Sequence, residues 1–378
     1  MRVYLDNAAT TAIDEQVLQA MMVVMREDYG NPSSIHADGR KVRTIIEKAR
    51  KKVASLLNTS PAEIFFTSGG TEADNTAIRR GILDNKISHA ISSPLEHHAV
   101  LHTLQELEKE GKIKLTLLDV DTKGHVDLAQ LEALLKDYPP SFVSLMHANN
   151  EIGTLTDIQK VSAICSAYNA LLHTDTVQTI GHFAHDLQSL KVGFLAGAAH
   201  KFHGPKGVGF LYINHDVKIK PFIHGGAQER NMRGGTENVY GIVGLAKALE
   251  IAYEQMSEHR AYIQSLKDYM REQLVKQIPG IHFNGELEAD KSLYTVLNVS
   301  FPPTDLGDML LFNLDIAGIS ASGGSACSSG SNIGSHVLTA IGVDARRPSV
   351  RFSFSKFNTK EEIDFVVSKL SEVCLEKA

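Results

Sequence analysis

Short apolar runs and amphipathic runs take turns over the first two-thirds of the chain. "EIFFTS" (63–68) is compact and apolar, and "TEADNTAIRRGIL" (71–83) repeats its apolar positions every three or four residues. "HAISSP" precedes the helix-like "HHAVLHTLQELEKEG", and "KLTLLDV" precedes "DLAQLEALLKD". "FVSLMHANN" precedes "DIQKVSAICSAYNA", after which "LLHTDTVQ", "GFLAGAAH" and "GVGFLYI" follow as strand-like runs. Period two alternating with period 3.6 predicts an α/β domain: a mostly parallel sheet with helices packed over it. In such a sheet ligands sit at the carboxyl ends of the strands.

After residue 237 the pattern changes to one long helical stretch, "NVYGIVGLAKALEIAYEQMSEHRAYIQSLKDYMREQLVKQI", long enough to link two units. Beyond it "TVLNVSF", "DMLLFNLDIAGIS" and "SVRFSFS" alternate strand and helix and end in "TKEEIDFVVSKLSEVCLEK". The expected organisation is a large domain over 16–255, a smaller C-terminal α/β domain over 256–378, and an N-terminal segment, 1–15, that joins the small one.

Composition narrows the function classes. With 378 residues, 43% of them hydrophobic, the chain has enough apolar surface for a large core, and a net charge of −6 with both signs interspersed gives no basic face for nucleic acid. No apolar run reaches membrane-spanning length, and "MRVYLDNAATT" lacks the apolar stretch of a secretory signal, so a cytoplasmic protein is expected. Cys165, Cys327 and Cys374 form no CxxC pair, which argues against a structural zinc site, a cysteine-bound cluster or a disulfide framework. Cys165 reads as a small core residue in a helical run. Cys327, inside the Gly- and Ser-dense "SASGGSACSSGSNIGS", reads as a thiol on a loop open enough to ionise.

Polar residues gather where the strand-like runs end. In "FFTSGGTEADN", Gly69 and Gly70 let the backbone approach a ligand, and Thr71 and the first N–H groups of the following helix suit an anion. An ordinary capped strand–helix turn has the same composition. "LLHTDTVQ" ends in Asp175 with Gln178 three residues on, "SLMHANNEIG" ends in Asn149, Asn150 and Glu151, and "SSPLEHHAVLH" brings Glu96, His97 and His98 to a helix start. His98 and His102 share a helical face, a metal-type spacing without an HExxH pattern or an evident third ligand. In "GAAHKFHGPKG", Lys201 follows His200 directly after a strand. A lysine there is ordinarily solvated, but a desolvated one becomes a nucleophile that forms Schiff bases. An anion cradle, an aromatic ring, an acid able to pair with a protonated ring nitrogen, and a lysine together make the equipment for pyridoxal phosphate, PLP.

The sequence resembles the cysteine desulfurases of the NifS/IscS type, which are PLP enzymes of fold type I. The resemblance rests on "VYLDNAATT", "GNPSSIHADGR", "TSGGTEADN", "EHHAV", "MHANNEIG", "HTDTVQ", "HKFHGPKGVG", "MRGGTEN", "SGGSACSSGS" and "VRFSFSKF", in this order along nearly the whole chain. It implies a seven-stranded, mostly parallel sheet in the large domain and the conversion of L-cysteine to L-alanine, with a persulfide on Cys327. It implies Lys201 as the Schiff-base lysine, His97 stacked on the ring, Asp175 at the pyridine nitrogen, and Gln178 and Asn150 at the ring hydroxyl, Asn150 also near substrate. Phosphate would be bound by Gly70, Thr71 and His200, and by Thr236 reaching across to the partner subunit of a homodimer. Arg351 would clamp the substrate carboxylate. The sulfur would pass to an acceptor or scaffold protein, for iron–sulfur cluster assembly or for tRNA or cofactor thiolation.

Two other readings fit parts of the pattern. A different fold-type-I reaction, transamination or selenocysteine cleavage, needs the Cys327 thiol less or not at all. A non-catalytic sulfur platform has no use for Lys201, Asp175, His97 and Arg351 together. One position departs from the family pattern Ser-x-His-Lys: Ala198 stands where the serine is expected. A hydrogen bond to a charged group contributes roughly 1.5–3 kcal/mol. Ala198→Ser is therefore expected to lower the PLP dissociation constant about tenfold in an equilibrium titration of cofactor-free protein; an unchanged constant would deny the hydroxyl that role.

Overall fold

The computed structural model describes residues 1–303, 309–323 and 334–375, so Cys327 lies outside the described residues. The chain starts with β1 (Val3–Tyr4), α1 (Glu15–Glu27) and α2 (Ala37–Leu56). There follow β2 (Ile64–Thr67), α3 (Gly70–Asp84), β3 (His89–Ser92), α4 (His98–Lys109), β4 (Lys114–Leu117) and α5 (Leu128–Asp137). Then come β5 (Ser141–Ser144), α6 (Ile158–Ala167), β6 (Leu171–Asp175), β7 (Phe194–Ala198) and β8 (Gly209–Ile213). These strands form one seven-stranded sheet in the order β2-β8-β7-β6-β5-β3-β4. All neighbours run parallel except at β8, which is antiparallel to both β2 and β7.

Burial on both faces explains why the strands read as near-continuous apolar runs. Successive residues of one strand enter opposite cores. Phe210 and Tyr212 of β8 pack on the side of α1, α2 and α7 (Val239–Glu254), while Leu211 and Ile213 pack on the side of α3 and α4. Phe142 and Val143 of β5 divide in the same way.

The long helical stretch is two helices. α7 ends at Glu254, Gln255 takes φ −110° and ψ 12°, and α8 (Met256–Gln277) continues from there. The break redirects the chain: α7 is buried against the first sheet, whereas Ile263, Leu266, Met270 and Leu274 of α8 enter a second core. That core is built on an antiparallel sheet of β9 (His282–Asn284), β10 (Val296–Ser300) and β12 (Ser349–Ser353), together with α9 (Leu310–Ile316) and α11 (Lys360–Leu375). β11 (Ile319–Ser320) pairs in parallel with β1, and α10 (His336–Ala340) lies between β11 and β12 in sequence. Val3 and Leu5 thus belong to the second core although they begin the chain. No helix among the described residues is long and apolar enough to cross a membrane.

One buried ion pair fastens a long connection onto the sheet. Arg50 of α2 donates from Nη1 and Nη2 to Glu229 at 2.7 and 2.8 Å, and from Nη1 to the Ile64 carbonyl at 2.8 Å. The Phe66 N–H also donates to Glu229, at 2.8 Å. Glu229, Arg230 and Asn231 hold φ values of 43°, 57° and 66°, a left-handed run without glycine. Such backbone costs about 1–2 kcal/mol per residue, and the fully paired carboxylate offsets it. Arg50→Met would leave Glu229 buried without its cation. It is expected to lower the unfolding free energy by about 3–5 kcal/mol in a urea titration, with Glu229→Gln added on top restoring part of the loss.

Candidate active site

The carboxyl ends of β2, β3, β5, β6 and β7 share one edge of the sheet and line a cavity of about 270 Å³. β2 runs into Gly70, the first residue of α3, where a Cβ would come within 2.6 Å of Val177 Cγ2. Only glycine lets the helix start sit this close to the residues after β6. Among the described residues the N–H groups of Gly70 and Thr71 and the Thr71 hydroxyl have no hydrogen-bond partner, and Thr71 is exposed at the cavity. Asp175 is the last residue of β6, and Lys201 closes a short 3-10 turn directly after β7. Lys201 Nζ donates to the carbonyl of Ala9 at 2.9 Å and also to that of Ala8. Gln178 Nε2 donates to the Ala8 carbonyl as well, at 3.0 Å.

Burial holds most of the titratable groups here uncharged. His97 caps α4: the Ala99 N–H donates to its Nδ1 at 3.2 Å, which leaves the proton of the neutral ring on Nε2. Desolvation, followed by the nearby Lys201 charge, pushes His97 down to about 4. His200, whose Nδ1 lies 3.3 Å from Thr10 Oγ1, is pushed down to about 4 for the same two reasons. Asp175 accepts the Val177 N–H on Oδ1 at 2.8 Å; burial and then the charge of Asp74 push its carboxyl up to about 7. Asp74, on α3, is itself almost fully buried, and desolvation raises it to about 8. Its Oδ1 is 3.3 Å from Nε2 of His173, yet neither atom makes a hydrogen bond. Burial also pushes His173 down to about 4, so desolvation works against an ion pair between the two.

The second sheet contributes Arg351 from β12. Its Nη1 donates to the Asn150 carbonyl and its Nη2 to Asp6 Oδ1, both at 2.8 Å. Its Nε is buried and has no partner. An unpaired buried guanidinium N–H is costly. Two further contacts close the cavity from the α10 side. Ser335 Oγ donates to Glu151 Oε2 at 2.5 Å, and His336 Nε2 lies 3.0 Å from the Glu96 carbonyl.

Gly70, Thr71, His97, Asn150, Asp175, Gln178, His200, Lys201 and Arg351 therefore face one cavity. Thr236 does not: it lines a separate recess of about 150 Å³ beside Glu229 and Arg233. Cys327 is outside the described residues. The rings of His98 and His102 stack 4.5 Å apart and nearly parallel, which keeps their nitrogens from converging, and no cluster among the described residues is arranged to hold a metal. Sequence reasoning missed Asp74, His336, and the Ala8 and Ala9 carbonyls. Asp74 reads as a routine acid near a helix start, and a backbone carbonyl leaves no mark in residue type. "VYLDNAATT" did signal that the N-terminal segment matters, without saying how.

The donor set fits PLP: free N–H groups and a hydroxyl at a helix start for phosphate, an acid at a strand end for the ring nitrogen, a neutral imidazole, and an amine. In the cofactor-free protein burial pushes Asp74 up to about 8 and Asp175 up to about 7, above the usual aspartate value of 3.8 that applies in the unfolded chain. Across that window the folded state binds more protons, so their contribution to stability falls as pH rises. Urea unfolding from about pH 5 to about pH 8 is expected to show that decline, and Asp74→Asn is expected to make it shallower. An unchanged slope in the variant would show that Asp74 is ionised in the fold.

Comparison with known proteins identifies the family. Residues 3–366 match the aminotransferase class-V family model. A curated cysteine desulfurase IscS from Dictyoglomus turgidum is 45% identical over 98% of this chain and 94% of its own. A solved NifS-like protein superposes with a TM-score of 0.91 at 42% identity, covering 99% of each chain. A structure of SspA in complex with cysteine gives a TM-score of 0.81 at 30% identity, over 95% of this chain and all of the other. The chain thus belongs to the class-V aminotransferase family and, within it, to the PLP-dependent cysteine desulfurases.

Proposed function

We propose that this cysteine desulfurase holds PLP in the cavity at the carboxyl edge of the first sheet and moves the sulfur of L-cysteine onto Cys327. The observation that carries the reading is the convergence of Lys201, Asp175, His97 and Arg351 on one cavity, with Arg351 Nε left without a partner. When bound, the cofactor supplies a carbon for an amine to attack and a sink for the electrons left at the amino acid's α-carbon. Lys201 Nζ, aimed by the Ala8 and Ala9 carbonyls, is the amine of this site and carries the α-proton. Asp175 meets the positive ring nitrogen, and that charge reverses the upward push of burial on its carboxyl. His97, held neutral and with Nδ1 committed to the Ala99 N–H, offers a ring face and an Nε2 proton.

Arg351 receives the substrate carboxylate on its guanidinium, displacing Asp6 from Nη2. Asn150 stands beside it, with its backbone carbonyl fixed on Arg351 Nη1. The Cys327 thiolate attacks the substrate sulfur, the carbon–sulfur bond breaks, and its electron pair stays with carbon. That carbon is protonated and leaves as alanine. The balance is one cysteine and one thiol giving one alanine and one persulfide, with no outside oxidant. The SspA relative was solved with cysteine, which supports this amino acid as the occupant. Thr236, exposed and outside this chain's own cavity, fits a contact with the partner's cofactor in a homodimer. The persulfide then goes to a sulfur-acceptor or scaffold protein in the cytoplasm.

The test is to incubate the purified protein with PLP, a reductant and L-cysteine, and to quantify alanine and sulfide beside Cys327→Ala. Equal amounts of the two, reduced to background in the variant, are expected. Pyruvate and ammonia in place of alanine would mean β-elimination and would remove Cys327 from the mechanism.

A further inference from the structure

The first turn of α3 carries an acid where an anion-binding helix start would be expected to avoid one. Glu72 follows Thr71 directly, and its side chain folds back so that the Ser68 N–H donates to Oε2 at 2.9 Å. A carboxylate in this turn occupies the positive end of the helix dipole and repels a second anion brought to the same N–H groups. Burial pushes the Glu72 carboxyl up, but the hydrogen bonds from Arg233 and Ser68 and the Arg233 charge together more than offset this, so its pKa is lowered. Arg233 grips it with two parallel bonds, Nε to Oε1 at 3.0 Å and Nη2 to Oε2 at 3.1 Å. The grip reaches across 161 positions of sequence, from the connection fastened by Arg50 and Glu229. Arg233 stands three residues before Thr236 in "MRGGTEN".

We propose that Arg233 is a positioning residue for the cofactor phosphate: its bidentate pair cancels the Glu72 charge in the phosphate-binding turn and fixes that turn to the connection that bears Thr236. The inference rests on PLP occupying the cavity. It assigns Arg233 no contact with cofactor or substrate. The effect is on the field at the helix start, so it must distinguish a ligand that carries phosphate from one that does not. It must also depend on the Glu72 charge.

The test is equilibrium titration of the cofactor-free full-length protein with PLP and, separately, with pyridoxal, which lacks the phosphate; bound ligand is read by its visible absorbance. Arg233→Gln is expected to weaken PLP about tenfold and to leave pyridoxal within about twofold. Adding Glu72→Gln to that variant is expected to restore most of the PLP affinity. Glu72→Gln alone, which keeps Arg233, is expected to bind PLP at least as tightly as the parent, and it decides the question even if Arg233→Gln does not fold. Parallel weakening of PLP and pyridoxal, a double variant as weak as Arg233→Gln, or weaker PLP binding in Glu72→Gln would each overturn the proposal. A parent protein that takes up neither ligand would overturn the cofactor reading itself, and this inference with it.

Discussion

Everything at this site depends on strand direction. β2, β3, β5, β6 and β7 run the same way, so their carboxyl ends meet at one edge and bring together residues from Gly70 to Lys201 that are far apart in sequence. β8 is the exception, and it shows the rule. As the one antiparallel strand, it runs away from that edge and begins there with Gly209, supplying no side chain to the cavity. Helices on both faces keep water off the sheet, and this dryness also sets the electrostatics of the edge.

The cavity is lined by ionisable residues held largely uncharged. Asp74, His97 and His200 are all pushed toward their neutral forms by burial, and Asp175 is poised near neutrality. Of the charges that remain, Asp6 sits on Arg351, Arg233 sits on Glu72, and Lys201 Nζ donates to the Ala8 and Ala9 carbonyls. A site built in this way does not oppose a guest of mixed charge. A dianion meets helix N–H groups from which the adjacent negative charge has been cancelled. A ring cation meets an acid ready to ionise. In the proposed reading, the substrate carboxylate would take the place of Asp6 on the Arg351 guanidinium.

How much of this was legible in the sequence follows from what each feature leaves behind in residue type. Strands and helices were readable because burial on one or two faces imposes a period. The direction of β8 was not, because an apolar run of five residues looks the same either way. Lys201, Asp175 and His97 stood out because polar side chains directly after apolar runs are conspicuous. The helix break at Gln255 left no glycine or proline to mark it and is visible only as a change in which core the chain enters. The Arg50–Glu229 pair spans 179 positions, and nothing local connects its members. The partnership of Arg233 with Glu72 was hidden in the same way, although both residues lie inside motifs that stood out.

The N-terminal segment ties the two cores to the chemistry. Asn7 Nδ2 donates to the Ser353 carbonyl at 2.8 Å, the Ala8 N–H donates to Ser353 Oγ at 2.8 Å, and Asp6 holds Arg351. Two residues on, the Ala8 and Ala9 carbonyls hold Lys201, and the Thr11 N–H donates to the His200 carbonyl at 2.9 Å. Six residues therefore bridge β12 of the second sheet to the turn after β7 of the first. The strap thus connects β12, which carries Arg351, to the turn that carries Lys201. In the proposed reading this strap would couple Arg351 to Lys201, so that binding energy from a substrate carboxylate could be used to align the amine at the other end of the same cavity.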